Sequence, residues 1–217
     1  MKVSGKKLGI LILFILYFVG AVAIGFRIFS GMEGLSPLHL LITFIFLLYW
    51  HPKKNFRFWL WLVIAYIIGT GVEYLGVQYG FLFGSYEYGS NMEPTVLGTP
   101  LVIGINWIIL SYCFTRFVRK SGPGGWNHWV VALVAATLMT AFDVLIEPVA
   151  IELDFWTWAG DRVPWTNYTG WWIVSFVLNY LFLRLGLDQG KNPLSLWVLL
   201  FQLFFFIFVY TVRLTTQ

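Results

Sequence analysis

The chain has 217 residues, of which 59% are hydrophobic, 20% aromatic and only 11% charged. Soluble domains carry about 25% charged residues, so the mean hydropathy of +0.77 excludes an ordinary soluble globular protein. The net charge of +4 is spread between long apolar runs, which is typical of basic loops beside membrane helices and not of nucleic-acid binding. A single cysteine, Cys113, excludes an intrachain disulfide and a cysteine-rich metal site. We therefore expect one integral membrane domain over 1–217, with lipid and not nucleic acid as its surroundings.

Seven apolar stretches are long enough to cross a hydrocarbon core of about 30 Å as helices. In chain order they are Leu8–Phe26, Gly34–Trp50, Phe56–Val77, Gly98–Phe117, Trp129–Ile151, Thr169–Leu187 and Leu194–Leu214. These runs are continuous and lack the alternation of barrel strands. They predict an all-α, polytopic membrane helix bundle.

The distribution of basic residues predicts the orientation of this bundle, because positively charged loops stay on the cytoplasmic side. With the N-terminus inside, the inside segments hold eleven of the fourteen basic residues: Lys2, Lys6, Lys7, Lys53, Lys54, Arg57, Arg116, Arg119, Lys120, Arg184 and Lys191. The outside segments hold three: Arg27, Arg162 and Arg213. This bias predicts a cytoplasmic N-terminus, an external C-terminus and a multi-pass protein of the inner cell membrane.

Three carboxyl groups fall inside predicted spans, where an ionisable group is costly and marks a candidate site. Glu73 lies near the outer end of the third span, while Asp143 and Glu147 lie four residues apart on one face of the fifth. No Lys or Arg accompanies them at that depth. A plain structural role, such as capping a helix or binding nearby backbone, stays open for each. The alternative is a protonated carboxyl group in an apolar pocket, which is a ready proton donor.

Aromatic pairs follow these acids at equal spacing. Tyr86 and Tyr88 lie 13 and 15 residues after Glu73, and Trp156 and Trp158 lie 13 and 15 residues after Asp143. Each loop then reaches a proline and an amide–tryptophan set: Asn106 with Trp107, and Asn167 with Trp171. In so aromatic a chain the agreement can be chance. If it is real, two similar hairpins line one site from opposite sides.

Several chemistries are excluded by what the sequence lacks. Its three histidines, His39, His51 and His128, are too few and too scattered for paired haem ligands or a di-iron site. The last span has no lysine for a retinal Schiff base, and no phosphate-binding glycine loop is present. We expect no metal and no cofactor. Acid chemistry on an apolar substrate remains, in which a carboxyl group protonates an alkene and aromatic faces stabilise the carbocation.

Four segments carry a family resemblance: GVEYLGVQYGFLFGSYEYG, LGTPLVIGINW, DVLIEPVAIELDFWTW and VPWTNYTGWW. Together they resemble the membrane carotenoid hydratase family and cover about a quarter of the chain. Family members often have Asp before the proline where this chain has Glu147, which reaches one methylene further. The resemblance implies cofactor-independent addition of water to the terminal C1=C2 bond of an acyclic carotene end. A γ-carotene-like or lycopene-like substrate follows, with other carotenoid-pathway enzymes as candidate partners.

These observations predict an active site built from three acids and a polar and aromatic wall. Asp143 or Glu147 donates the proton, and Glu73 positions the water. The predicted substrate-binding residues are Tyr86, Tyr88, Asn106, Trp107, Trp156, Trp158, Asn167, Trp171 and Asn179. Two alternatives stay open: a carotenoid end-group cyclase, which must exclude water from the cation, and a small proton-coupled transporter. Product mass separates the two enzymes, because only hydration adds the mass of one water molecule.

Overall fold

The described part of this computed structural model covers residues 5–214 and contains seven α-helices, two short 3-10 helices and four short strands. The helices are α1 (Gly5–Gly25), α2 (Ser36–Tyr49), α3 (Phe56–Tyr79), α4 (Ile103–Ser121), α5 (His128–Glu152), α6 (Trp165–Arg184) and α7 (Ser195–Leu214). The strands are β1 (Tyr86–Tyr88), β2 (Thr95–Val96), β3 (Thr99–Pro100) and β4 (Trp156–Trp158). The predicted helical architecture is confirmed, and two small antiparallel ribbons are added to it. Lys2, part of the predicted basic N-terminus, lies outside the described residues.

Asparagine side chains begin two of the long helices. The side-chain oxygen of Asn55 accepts a hydrogen bond from the backbone nitrogen of Phe58 at 3.1 Å, at the start of α3. Asn127 caps α5 in the same way through Val130 at 3.0 Å. Such caps satisfy backbone donors that have no partner within the helix. Gly80 then ends α3 with a φ of 63°, a left-handed conformation that glycine adopts without strain.

Two predicted helix starts were wrong, each for a local reason. The fourth helix begins at Ile103 and not at Gly98, because β2 and β3 form a tight hairpin that uses the residues before it. The sixth helix begins at Trp165 and not at Thr169. Pro164 stands directly before it in an extended conformation, and its fixed φ separates loop from helix.

Helix α4 lies at the centre of the bundle, where it contacts α2, α3, α5, α6 and α7. Thirteen of its 19 residues are buried. Five helical segments in the described chain are long and apolar enough to cross a membrane: Gly5–Gly25, Met32–Tyr49, Phe56–Tyr79, His128–Glu152 and Ser195–Arg213. Helices α4 and α6 are not among these five. A helix covered by other helices, like α4, does not need the apolar surface that lipid demands.

Polar contacts tie the loops together at one end of the bundle. Arg116 donates to the backbone oxygens of Leu187 and Gly190 at 3.1 and 2.6 Å. Asn192 donates to the backbone oxygen of Leu47 at 2.9 Å. The basic loops after α2, α4 and α6 therefore meet at this end. Strands β1 and β4, which follow α3 and α5, lie at the other.

Ion pairs join helix ends on the strand side. Arg213 of α7 pairs with Glu33 at 2.7 Å, and both side chains are largely buried. Arg27, just after α1, pairs with Glu152 at the end of α5 at 2.9 Å. Removing one member of a buried pair is costly, because it leaves the other charge unpaired. The buried Arg213–Glu33 contact therefore helps to hold α7 in place, whereas the exposed Arg27–Glu152 pair contributes little.

His51 is buried at the basic end. Only 5% of it is exposed, and its ring stacks on Phe58 with centroids 3.8 Å apart. Its Nδ1 lies 2.9 Å from the Tyr112 hydroxyl oxygen. Burial, and next the positive charge of Arg116, lower the pKa of His51 from 6.5 to about 4. The folded protein therefore holds this imidazole neutral in mildly acidic solution.

We expect this histidine to make the folded state less stable as the pH falls. Below pH 6.5 the unfolded chain takes up a proton at His51, whereas the folded chain does so only near a pKa of about 4. Stability is therefore lost as the pH falls through that window. His51→Asn cannot titrate there, so it should remove this part of the slope. Tm measured in detergent at several pH values checks this, and equal slopes for both proteins would contradict it.

Candidate active site

Strands β1 and β4 come from the loops after α3 and α5 and pair in antiparallel fashion. Tyr86 lies opposite Trp158, and Tyr88 lies opposite Trp156. The ring centroids of these pairs are 4.9 and 6.2 Å apart. Alternate residues of a strand share one face, and Glu87, between the tyrosines, is exposed on the other. The ribbon thus directs four aromatic side chains with polar atoms toward the helices.

Glu73, on α3, receives the two tyrosines. Its Oε2 accepts from the hydroxyls of Tyr86 and Tyr88, the latter at 2.8 Å, and its Oε1 accepts from the indole Nε1 of Trp107 at 2.9 Å. Gly76 permits this approach, because a Cβ there would lie 2.8 Å from the Tyr86 hydroxyl oxygen. Burial, and next the Glu73 charge, raise the pKa of both tyrosines. Both phenols therefore stay protonated and keep donating.

Glu147, on α5, receives the two tryptophans. Its Oε2 accepts from the indole nitrogens of Trp156 and Trp158 at 3.0 and 2.9 Å. Its Oε1 accepts from the Asn167 amide at 3.0 Å, and the same nitrogen donates to Asp143 Oδ2 at 2.8 Å. Among the described residues, Asp143 Oδ1 has no hydrogen-bond partner, although Asp143 is only 1% exposed. One amide thus joins two buried carboxyl groups.

The surroundings of Glu73 and Glu147 follow one plan. Each acid accepts from two aromatic donors on the strand that follows its own helix, and from a third donor on the next helix. The equal sequence spacing was counted from Asp143, but the acid that accepts from the tryptophan pair is Glu147. Glu147 is one helical turn nearer the strand, so its side chain meets the indoles. Asp143 lies behind Asn167.

A small cavity of about 30 Å³ lies between the two acids. Its walls come from α3 to α6 and both aromatic strands: Glu73, Phe83, Tyr86, Tyr88, Ile103, Asn106, Ile146, Glu147, Trp156, Trp158, Asn167 and Trp171. About 10–15 Å³ of such space is enough for one water molecule. The cavity therefore has room for about one or two waters beside the carboxyl groups. No group of three His, Cys, Asp or Glu side chains in the described chain could hold a metal ion.

Two further cavities lie beside this one, toward α1 and α2. The second, of about 80 Å³, shares four wall residues with the first: Ile103, Asn106, Ile146 and Trp156. The third, of about 240 Å³, shares three with the second: Ser36, His39 and Phe205. Its rim includes Val19 and Leu38, which are 52% and 53% exposed, so the series of cavities reaches the outer surface of the bundle.

Three of the predicted site residues do not border the cavity between the acids. Asp143 contacts it only through Asn167. Trp107 donates to Glu73 from behind and stacks on Trp171 with centroids 4.1 Å apart. Asn179 is fully buried further along α6, where its amide lies 3.5 Å from the Met139 sulfur. The other predicted acids, aromatics and amides all line it.

Apart from Asn106 and Trp156, the residues that line the second and third cavities were not predicted from the sequence. Tyr17, His39 and Gln202 lie on three helices that are far apart in the chain, α1, α2 and α7. The signal that could have found them is the presence of His39 and Gln202 inside otherwise apolar runs. A polar side chain within a membrane span is a candidate site in itself.

Comparison with known proteins gives a consistent result. Residues 35–217 match the carotenoid biosynthesis protein family. The chain is also 26% identical over 191 residues to bisanhydrobacterioruberin hydratase from Haloarcula japonica, an alignment that covers 79% of this chain and 63% of that relative. The chain therefore spans somewhat less than two thirds of the relative's length. No solved structure matches. The family indicated by the sequence segments is confirmed, and the chain belongs to the carotenoid biosynthesis protein family.

Proposed function

We propose that this protein adds water across the terminal C1=C2 bond of an acyclic carotene end, giving a tertiary 1-hydroxy carotenoid. The observation that carries the proposal is the pair of facing carboxyl groups, Glu73 and Glu147, around a cavity that has room for water and is walled by aromatic rings. The similarity to a protein named a hydratase supports it. The chemistry uses side chains alone and needs no cofactor.

The first step is protonation of C2 by Glu147. Glu147 and Asp143 share a single amide donor, and two carboxyl groups that close together cannot both be charged without a large electrostatic cost. The pair therefore holds one proton. Glu147 borders the cavity and Asp143 does not, so Glu147 hands the proton to the alkene. Asp143 acts behind it as a positioning residue that keeps the proton available.

The second step is capture of the tertiary cation at C1 by water. Four aromatic side chains line the cavity in which this cation would form: Tyr86, Tyr88, Trp156 and Trp158. An aromatic face stabilises a nearby cation by about 0.5–2 kcal/mol. Water adds to C1 and loses a proton to Glu73, which, unlike Glu147, shares no hydrogen-bond donor with a second carboxyl group and so is not held protonated by a neighbouring acid. The proton returns to the Glu147–Asp143 pair through water in the cavity. The net change is the addition of one water to the double bond.

The row of neighbouring cavities would suit a long apolar substrate. The reacting end would lie between the acids, and the chain behind it would pass Phe142 and Phe205 toward the opening between α1 and α2. Exposed apolar side chains surround that opening. A polyene dissolved in lipid can therefore enter sideways without crossing water.

Filling the outer cavity should block this route. Gly20 lines that cavity, and a Cβ there would meet only Phe205, at 3.9 Å. We expect Gly20→Phe to fold and to lower lycopene hydration about 100-fold, because a misplacement of about 1 Å is enough for such a loss. Gly71→Phe is the matched control, since nothing lies within 4 Å of a Cβ on this α3 glycine. Equal hydration by both variants, measured by chromatography at matched protein levels, would contradict the route.

The function itself is tested by expression in a host that makes lycopene and γ-carotene. We expect new pigments heavier by the mass of one water molecule per modified end. A pigment of unchanged mass with a ring at its end would identify a cyclase instead. Unchanged pigments, with the protein present in the membrane, would overturn both.

We further propose that the whole chain is a single domain of the inner cell membrane, with seven spans, an inside N-terminus and an outside C-terminus. The basic loops after α2, α4 and α6 support this, because they meet at one end of the bundle. The active site would then lie near the external face. Cysteine-labelling from each side of the membrane tests the orientation: a probe at Lys53 should react from inside and one at Glu87 from outside.

A further inference from the structure

The middle cavity contains a polar group that the hydration mechanism does not use. Most of its wall is apolar, and none of the described residues that line it carries a Lys, Arg, Asp or Glu side chain. His39 of α2 and Gln202 of α7 both line it. Gln202 is only 4% exposed. The cavity therefore combines an uncharged, mostly apolar wall with a few hydrogen-bonding side chains, among them His39 and Gln202.

One atom of each of these side chains lacks a partner. Among the described residues, His39 Nε2 and Gln202 Oε1 are buried and have no hydrogen bond. The His39 ring packs edge-on against Tyr17 with centroids 4.1 Å apart, and the Tyr17 hydroxyl is bonded to Thr43 at 3.2 Å. A buried polar atom without a partner lowers stability. Two of them on one cavity indicate that something else fills the hydrogen-bonding positions.

We propose that His39 and Gln202 form a binding subsite for a neutral hydroxyl group, next to the catalytic acids. A hydroxyl both donates and accepts, so it can satisfy a ring nitrogen and an amide at once, whichever way each is oriented. The absence of charged wall residues argues against a carboxylate or a phosphate. The second and first cavities share Asn106 and Trp156, so this hydroxyl would lie in the cavity next to the one that holds the reacting bond.

This inference rests on the proposed function, and the hydroxyl has two sources. It can belong to the substrate, in which case the enzyme prefers a carotene end that already carries oxygen. It can also be a water molecule, held in reserve for the cation in the next cavity. The chemistry of the subsite is the same in both cases, and two substrates separate them.

The test uses Gln202→Leu and His39→Phe, with Gln202→Met as a milder second change and Gln189→Leu as the matched control on an exposed loop residue. The purified proteins in lipid nanodiscs are compared on lycopene and on lycopene with a hydroxyl on one terminal methyl group. The kcat/KM of each variant is divided by the kcat/KM of the unmodified protein on the same substrate. If the hydroxyl belongs to the substrate, the subsite variants should lose about tenfold more kcat/KM on the hydroxylated compound than on lycopene, which is the size of one lost hydrogen bond. A stored water predicts the same loss on both.

Binding is measured alongside turnover, through quenching of tryptophan fluorescence by the polyene. Tm without substrate confirms that each variant is folded. If the subsite variants bind and turn over both compounds as the unmodified protein does, the subsite is overturned. If the unmodified protein binds both compounds but hydrates neither, the proposed function fails. In that case, weaker binding of the hydroxylated compound to the variants would still support the subsite.

Discussion

Glu147→Gln should abolish hydration, with a loss of turnover on lycopene of about 10³-fold, the middle of the range for removing a general acid. Gln keeps the length of the side chain and an oxygen for the two indole donors, but it has no proton to give. The measurement is product formation by the purified protein in nanodiscs, followed by chromatography and mass. The Tm of this variant should stay close to that of the unmodified protein, because strands β1 and β4 keep their pairing.

Glu87→Gln is the matched control for this change. Glu87 lies on the same ribbon, between two site tyrosines, but its side chain is exposed on the opposite face. Glu87→Gln should keep full activity.

Asp143→Asn should cause a smaller loss of hydration activity than Glu147→Gln, because Asp143 does not border the cavity. If instead Asp143→Asn is inactive and Glu147→Gln retains activity, the proton donor is Asp143.

Glu73→Gln should also lose hydration, by about 10²–10³-fold, but at a different step. Without the Glu73 carboxylate, water adjacent to the cation cannot lose its proton readily. The cation still forms at Glu147 and returns to alkene by losing one of the two hydrogens then on C2. In heavy water, each return that loses the original hydrogen leaves deuterium at C2, so labelled substrate should accumulate over repeated cycles even though little product appears.

The two acid variants are then distinguished by isotope exchange. Glu147→Gln should show neither exchange nor hydration, whereas Glu73→Gln should exchange without hydrating. Glu87→Gln in heavy water should give product with deuterium at C2, as the unmodified protein does. Loss of exchange in Glu73→Gln, in a folded protein, would assign Glu73 to proton donation and reverse the roles.

The helices could be predicted from the sequence because each is a long apolar run between turn residues. The errors came where a local turn overrode composition: the β2–β3 hairpin before Ile103, and Pro164 before Trp165. Hydropathy alone identifies five spanning segments and leaves out α4 and α6. In α4 the hydropathy is lowered by Arg116, Arg119 and Lys120 near its end. A central helix packed on all sides is the case in which composition says least about membrane position.

The acids and their aromatic partners could be found from spacing, but not the pairing between them. Asp143 and Glu147 share one helix face, so the sequence allows either to meet the tryptophans. The position of β4 relative to α5 brings the two tryptophans to Glu147. That position depends on the pairing of β4 with β1. The cavities beside α1, α2 and α7 depend on contacts such as Tyr17 with His39, between helices that no local pattern relates.

The pairing of β1 with β4 also affects the order in which the molecule becomes active. Tyr86 and Trp158 are 72 residues apart (158 − 86), and closing so long a loop costs chain entropy. Each acid accepts hydrogen bonds from a strand that is near it in the sequence. The cavity between the acids, however, forms only after α5, β4 and α6 have been made and have packed against α3 and α4. An unfinished chain leaves both acids open to water. We therefore expect the growing chain to be catalytically silent, so that no carbocation is made before the last helices protect it.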